Sequence, residues 1–149
     1  MAEWSKAVDC KSIDLIHRWF KSNFLQMVQK QTRLKVSDNS GAKIGGCIRV
    51  LKGSYPTYAY VGDCMAISIK KLKMKRKAKK KDIYFSVLIR SAKETQNKDG
   101  SWSKFRQNAV TLLNKKKKLL ANKITGPLSK SLRKKQYSRI YTQLRSSLI

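Results

Sequence analysis

The middle of the chain contains several short stretches in which apolar and polar residues alternate. This pattern suits a β-strand with one buried face and does not suit a helix. The most regular stretch spans residues 83–90, where Ile83, Phe85, Val87 and Ile89 occupy every second position. We predict that these four side chains fill the interior of a β-structure. The outward-facing residues of the same strand are then Tyr84, Ser86 and Arg90.

Turn signals divide this central region into short strands. Asp38-Asn39-Ser40-Gly41 predicts a turn after the alternating residues Leu34 and Val36. Asp99-Gly100 is a strong hairpin signal. Further strands are predicted at residues 47–51, 65–69 and 109–113, and residues 58–61 lead into a turn at Gly62-Asp63. Short strands at this spacing are typical of a small closed barrel, so the predicted fold is mainly β.

Both ends of the chain have a helical pattern instead. Residues 1–26 contain neither Gly nor Pro, and they include three acids and a single arginine, unlike an arginine-rich presequence. We predict a retained helical extension here, and two short helices over residues 128–149, after Gly126-Pro127. The apolar residues of the extension that recur at spacings of three and four are Ile13, Ile16, Phe20 and Phe24.

The net charge restricts the partner. The formal charge is +27, from 35 Lys and Arg against 8 Asp and Glu. A compact chain with this charge repels itself unless a polyanion neutralises it, so nucleic acid is the leading expectation. We expect no membrane contact, because no apolar run reaches the ~18 residues of a spanning helix. A wholly disordered basic chain is also disfavoured, since 41% of the residues are hydrophobic.

The basic residues are concentrated in two places. Residues 70–81, called the lysine run below, are basic at 9 of 12 positions, and the last fifty residues contain 13 Lys or Arg and no acid. Residues 1–26 have a net charge of only +1. We predict that the lysine run is the main electrostatic contact with a phosphate backbone. The residues predicted to bind nucleic acid are Lys43, Arg49, Lys52, Lys70, Lys71, Lys73, Lys75, Arg76, Lys77, Lys79, Lys80, Arg90, Lys93 and Lys104. Those predicted to contact a protein partner or a second nucleic acid are Trp102, Lys123, Lys130, Arg133 and Lys134.

The sequence contains no pattern that indicates catalysis. His17 is the only histidine, and it lies in the predicted extension without a neighbouring acid pattern. The three cysteines, Cys10, Cys47 and Cys64, form no C-x-x-C pair, which argues against a disulfide framework and a zinc site. No phosphate-binding glycine-rich loop is present. We therefore expect no enzyme activity, no cofactor and no metal.

Many short motifs follow one another in a fixed order along the chain. They are Asp38-Asn39-Ser40-Gly41-Ala42-Lys43, Cys47-Ile48-Arg49-Val50-Leu51, Gly53-Ser54, Tyr58-Ala59, Gly62-Asp63, Lys79-Lys80-Lys81-Asp82, Val87-Leu88-Ile89-Arg90, Asp99-Gly100-Ser101, Phe105, Asn108-Ala109, Leu112-Leu113-Asn114, Ile124, Gly126-Pro127 and Leu132-Arg133. This ordered set resembles the L-fourteen family of large-subunit ribosomal proteins of the bacterial and organellar type. The resemblance covers residues 27–149, and its specificity comes from the order and spacing of the many short matches.

The resemblance implies a five-stranded barrel with a protruding hairpin over residues 27–127, continued by the helical part at 128–149. It also implies a structural role in the large subunit, with binding to large-subunit rRNA at the subunit interface and bridges to small-subunit rRNA. The implied protein partners are neighbouring ribosomal proteins and a ribosome-silencing factor, and no homo-oligomer is expected. The chain departs from the family pattern mostly toward basic residues. Lys81 and Arg76 stand where the family has Gly, and Arg106 stands where it has Asp.

Two further questions stay open at the level of sequence. The extension and the preference for Lys over Arg, 26 against 9, favour a mitochondrial ribosome in the matrix, with a plastid or a bacterial cytoplasm as alternatives. The main alternative function is a free single-stranded RNA-binding barrel outside the ribosome. Such a protein would show a platform of aromatic residues for base stacking, and no strand here carries closely spaced aromatics.

Overall fold

The computed structural model describes residues 28–53, 57–73, 78–97, 99–129, 131–132 and 140. The extension at 1–26 and most of the 128–149 segment lie outside these residues, so their predicted helices stay predictions. No helix of the described part is long and apolar enough to cross a bilayer. The strands are β1 (Arg33–Val36), β2 (Ala42–Val50), β3 (Cys64–Leu72), β4 (Ile83–Arg90), β5 (Thr95–Gln96), β6 (Trp102–Ser103) and β7 (Ala109–Leu113).

Five of these strands close into a barrel in the order β1-β2-β3-β4-β7, which confirms the predicted five-stranded barrel. Neighbouring strands are antiparallel except at the closing seam, where β1 and β7 run parallel. The two nine-residue strands β2 and β3 pair with register shifts along β2. Such bulges increase the local twist and bend of a strand, which a small barrel needs in order to close.

The barrel interior is filled by apolar side chains from all five strands. Leu34 of β1, Ile67 of β3 and Leu112 of β7 are fully buried there. Burying a side chain of this size contributes about 1.5–3 kcal/mol. The other interior residues of the barrel strands are Val36, Ala42, Cys47, Val50, Met65, Ile69, Leu88 and Val110.

Strand β4 has the opposite orientation to the one predicted from its alternation. Leu88 belongs to the interior cluster and Tyr84 packs against it, whereas Val87 and Ile89 belong to a second cluster. Within the barrel wall, Ser86 pairs with Met65 of β3 and with Leu112 of β7. It is fully buried, and its hydroxyl donates to the Met65 carbonyl at 3.2 Å. The predicted facing was therefore wrong.

The second cluster explains the error. It lies on the outer side of β4 and β7, where Ile124, Leu128 and Leu132 from the C-terminal segment cover Val87 and Ile89. Both faces of β4 are thus buried along most of its length, and alternation alone does not tell them apart. Only the first residue of the strand, Ile83, stays exposed, at 66%.

The Asp99-Gly100 signal forms a hairpin, as predicted. Strands β5 and β6 make a separate two-stranded sheet, in which Thr95 pairs with Ser103 and Gln96 with Trp102. Gly100 has φ +76° in the connecting turn, a conformation that favours glycine. The Trp102 side chain on this hairpin is 64% exposed.

Candidate RNA-binding surface

The turn between β1 and β2 is held by the carboxylate of Asp38. One oxygen accepts hydrogen bonds from the amide N–H of Ser40, at 3.0 Å, and from the Ser40 hydroxyl. The other accepts from the amide of Leu112, at 2.7 Å, and from the hydroxyl of Thr111, at 3.4 Å. The carboxylate therefore attaches the turn to β7, which lies more than seventy residues further along the chain.

A second segment packs beside this turn. Residues 123–125 run alongside residues 37–39: the amide of Asn39 donates to the Lys123 carbonyl at 3.1 Å, and the amide of Thr125 donates to the Ser37 carbonyl at 2.8 Å. Asp38 and Ile124 form an isolated antiparallel bridge between them. The turn and this segment thus make one continuous hydrogen-bonded edge next to the barrel seam.

The side chain of Arg90 holds the neighbouring part of this segment, at residues 125–127, through hydrogen bonds. Its guanidinium donates to the carbonyls of Pro127, at 2.7 Å, and Thr125. Burial lowers the pKa of this guanidinium from its ordinary value, because desolvation disfavours the charged form. Gly126 has φ +87°, and a Cβ added there would lie 2.6 Å from an Arg90 nitrogen. The backbone conformation therefore favours glycine at this position, and a side chain there would force the Arg90 guanidinium to shift.

These elements enclose a groove of about 1410 Å³ that runs along β1. We call it the basic groove, because seven of the described residues that line it are cationic and Asp38 is the only acid among them. None of these described lining residues is aromatic. Its cations are Arg33, Lys35, Lys43, Lys73, Arg90, Arg106 and Lys123.

Three of these seven cations, Lys43, Lys73 and Arg90, are among the residues predicted to bind rRNA, and Arg33, Lys35 and Arg106 were not predicted as contact residues. The signal for the first two was present in Arg33-Leu34-Lys35-Val36, since burying Leu34 and Val36 turns Arg33 and Lys35 outward. Arg106 was visible only as a family departure from Asp. Lys123, predicted as a protein or bridge contact, lies in the groove.

The described part of the lysine run connects β3 to β4. Lys70, Lys71, Lys73, Lys79 and Lys80 are all exposed, and no ion pair involves any of them in the described part of the chain. The base of the run is tied to the β1–β2 turn, because the amides of Lys73 and Ala78 donate to the carbonyls of Gly41, at 2.7 Å, and Ser40, at 3.3 Å. Lys73 therefore belongs to both the run and the basic groove.

Lys81 ends the run in a strained conformation. It has φ +68° at the position where the family has Gly, so the turn before β4 keeps a backbone conformation that favours glycine. Lys75, Arg76 and Lys77 lie outside the described residues.

The remaining predicted contact residues are scattered. Lys52 pairs with Asp63 at 3.4 Å and lies 5.2 Å from the ring centroid of Tyr60, and Lys104 pairs with Glu94 at 2.9 Å. These two lysines have partners within the protein. Arg49 is exposed on β2 and Lys93 is half-buried, whereas Lys130, Arg133 and Lys134 lie outside the described residues.

The described residues contain no group of three or more His, Cys, Asp or Glu side chains placed to hold a metal. Cys47 is a buried free thiol, and burial raises the pKa of this thiol, which makes it less reactive as a nucleophile. The side chains that cluster on the described surface are therefore cationic.

A closed five-stranded barrel with a basic groove and an exposed lysine run defines a strongly basic β-barrel protein suited to a polyanion. The family model for ribosomal protein L14p/L23e matches residues 27–147. The chain belongs to this family, which confirms the resemblance found in its motifs. It is thus a ribosomal large-subunit protein with a structural rather than an enzymatic role, and its place is the ribosome.

Proposed function

We propose that this protein binds large-subunit rRNA at the subunit interface and contributes to bridges with small-subunit rRNA. The observation that carries the proposal is the basic groove, where seven cations face a single carboxylate that is bonded within the fold. Phosphate groups supply the charge that this surface lacks, and their neutralisation releases counterions. No aromatic residue is among the described residues of the groove lining, and this supports the proposal over a free barrel that stacks single-stranded bases.

Protein contacts are assigned to other parts of the molecule. The exposed Trp102 on the β5–β6 hairpin fits an anchor for a neighbouring ribosomal protein, since exposed tryptophans are frequent in binding hot spots. The C-terminal part, with Lys130, Arg133 and Lys134, is the proposed contact for a ribosome-silencing factor. This assignment rests on the family resemblance.

We also propose that the ribosome concerned is mitochondrial, and that the 1–26 extension contacts a neighbour rather than rRNA. The support is the low net charge of the extension, +1, beside +26 for the rest of the chain, and the excess of Lys over Arg. A plastid or a bacterium would be distinguished by the compartment from which the protein is purified.

Sucrose-gradient sedimentation of the tagged full chain tests the proposal. The protein is expected to co-migrate with large subunits prepared from purified mitochondria, and a free pool would instead favour the free RNA-binding barrel. A variant without residues 2–26 is expected to be incorporated as well, with at most a weaker attachment to a neighbouring protein. Complete loss of its incorporation would show that the extension carries the docking.

A further inference from the structure

We propose that the basic groove is a binding site for the sugar–phosphate backbone of one RNA segment, formed by the folded barrel and independent of the lysine run except at Lys73. This inference rests on the proposed function, because it takes RNA as the polyanion. It adds which surface holds the RNA and which part of the RNA is recognised.

The charge of the groove is not balanced within the described protein. None of its seven cations makes an ion pair with a described residue, and Arg90 has its guanidinium bonded to main-chain carbonyls. The only acid, Asp38, already accepts from two amides and two hydroxyls, so its carboxylate is not directed to a lysine. Like charges held this close disfavour the free protein and favour a complex with phosphates.

The groove is also built in advance of binding. Its cations come from β1, β2, the start of the lysine run, the end of β4, the segment before β7 and the segment at 123–126. The hydrogen bonds of Asp38 and Arg90 hold these segments to the barrel. A site whose charges are already placed loses less conformational entropy when the ligand binds.

The size and lining of the groove indicate what it recognises. Its volume of about 1410 Å³ exceeds the ~300–1,000 Å³ of small-molecule pockets, so it suits a length of polymer. Base recognition on RNA usually uses stacking on aromatic rings, and the lining has none. Contacts of cations with phosphate carry no sequence information. The groove should therefore bind RNA with little dependence on base sequence.

A matched pair of double variants tests this. Lys35→Gln with Lys123→Gln removes two charges from the groove, and Lys115→Gln with Lys116→Gln removes two exposed charges that do not line it. The readout is the salt dependence of full-chain binding to oligouridylate and to oligoadenylate of equal length. The groove pair should flatten the slope of log K against log salt by about 1.4, at about 0.7 per phosphate contact. The control pair should leave the slope unchanged, and both oligonucleotides should respond alike.

Each alternative outcome has a definite meaning. Equal flattening by the two pairs would show that only net charge matters and would overturn the groove as a site. A base preference of the parent that disappears in the groove pair would overturn backbone recognition. If the groove pair melts differently from the parent, Lys43→Gln with Arg106→Gln replaces it with the same expectation. A parent that binds neither RNA nor large subunits would overturn the proposed function as well, whereas failure of the groove variants alone would leave it standing.

Discussion

The lysine run and the basic groove are built in opposite ways. The run is continuous in sequence, with 9 basic residues in 12 positions. The groove takes its cations from positions between Arg33 and Lys123, and no two of them are adjacent in the chain. The positive charge of the run is concentrated even in an unfolded chain, whereas the charge of the groove is concentrated only when the barrel closes. A run of basic residues in a sequence therefore need not be the only source of a basic surface in the folded protein, nor the most organised one.

Substitution of the run should have the largest effect on RNA binding. Lys73→Gln, Lys75→Gln, Arg76→Gln and Lys77→Gln together are expected to flatten the salt slope by about two to four units, with binding to rRNA fragments weakened generally. The melting temperature should stay constant or rise, because like charges have been removed.

A variant that restores Lys73 separates the two regions. If the remaining three substitutions still flatten the slope, the run contacts phosphate by itself. If the slope returns to the parental value, the effect belonged to Lys73 and so to the groove. An unchanged slope in the fourfold variant, with intact folding, would show that the run is a solvated loop.

Asp38→Ala tests how far the groove depends on the fold. The substitution leaves the Leu112 amide and the Ser40 and Thr111 hydroxyls without their acceptor, and we expect a loss of about 2–4 kcal/mol in the free energy of unfolding. Urea denaturation measures it. The control is Asp82→Ala, because this turn acid at the end of the run accepts only a 3.4 Å bond from the Tyr84 hydroxyl in the described structure. That variant should change stability by less than about 0.5 kcal/mol. Equal losses in the free energy of unfolding would mean that the Asp38 and Asp82 side chains stabilise their turns equally.

Val87→Ala tests the support of the 123–126 segment. Val87 is fully buried in the outer cluster with Ile124 and Leu128, so truncation should cost on the order of 1–3 kcal/mol. Ile83→Ala on the same strand is the control and should cost little, since Ile83 is 66% exposed. A thermal melt that is unaffected by Val87→Ala would contradict the packing of the C-terminal segment against β4.

Ser37→Ala should have the smallest effect and the opposite sign. The Ser37 hydroxyl lines the groove and is buried without a hydrogen-bond partner among the described residues. Its removal relieves a desolvation cost, so stability should stay constant or rise by up to about 1 kcal/mol. The buried Ser86 hydroxyl donates to a carbonyl, and Ser86→Ala should lower stability by about 0.5–1.5 kcal/mol. Differential scanning calorimetry of both variants checks the signs, and destabilisation by Ser37→Ala would show that its hydroxyl is bonded.

The sequence was informative where the physics is local. Period two predicted β4, the Asp-Gly pair predicted the β5–β6 hairpin, and the run of turns and strands predicted the closed barrel. The strand and the hairpin depend on residues that are neighbours in the chain. The barrel closure and the family were also implied by the spacing of motifs across residues 27–149, and the family match at 27–147 bears this out.

The sequence was not informative where distant segments meet. Which face of β4 lines the barrel depends on Ile124 and Leu128, which cover its other face. The groove depends on Asp38 reaching Leu112 and on Arg90 reaching Thr125, and neither contact has a local signature. Arg90 illustrates this limit. The sequence pattern predicted that its side chain faces outward and binds rRNA, whereas in the fold its guanidinium donates to the main-chain carbonyls of Pro127 and Thr125. Its role in rRNA binding is still a prediction.

The parallel seam between β1 and β7 also determines when the groove forms during synthesis. Lys35 pairs with Ala109 and Val36 with Val110. Strand β1 can therefore pair with β7 only after most of the barrel domain has been synthesised. The segment at 123–126 and the Arg90 bonds to it come later still. A nascent chain that has completed β1 to β4 already carries the lysine run, but it has no groove. The positive charge of the lysine run is therefore concentrated before residues 106–126 complete the basic groove.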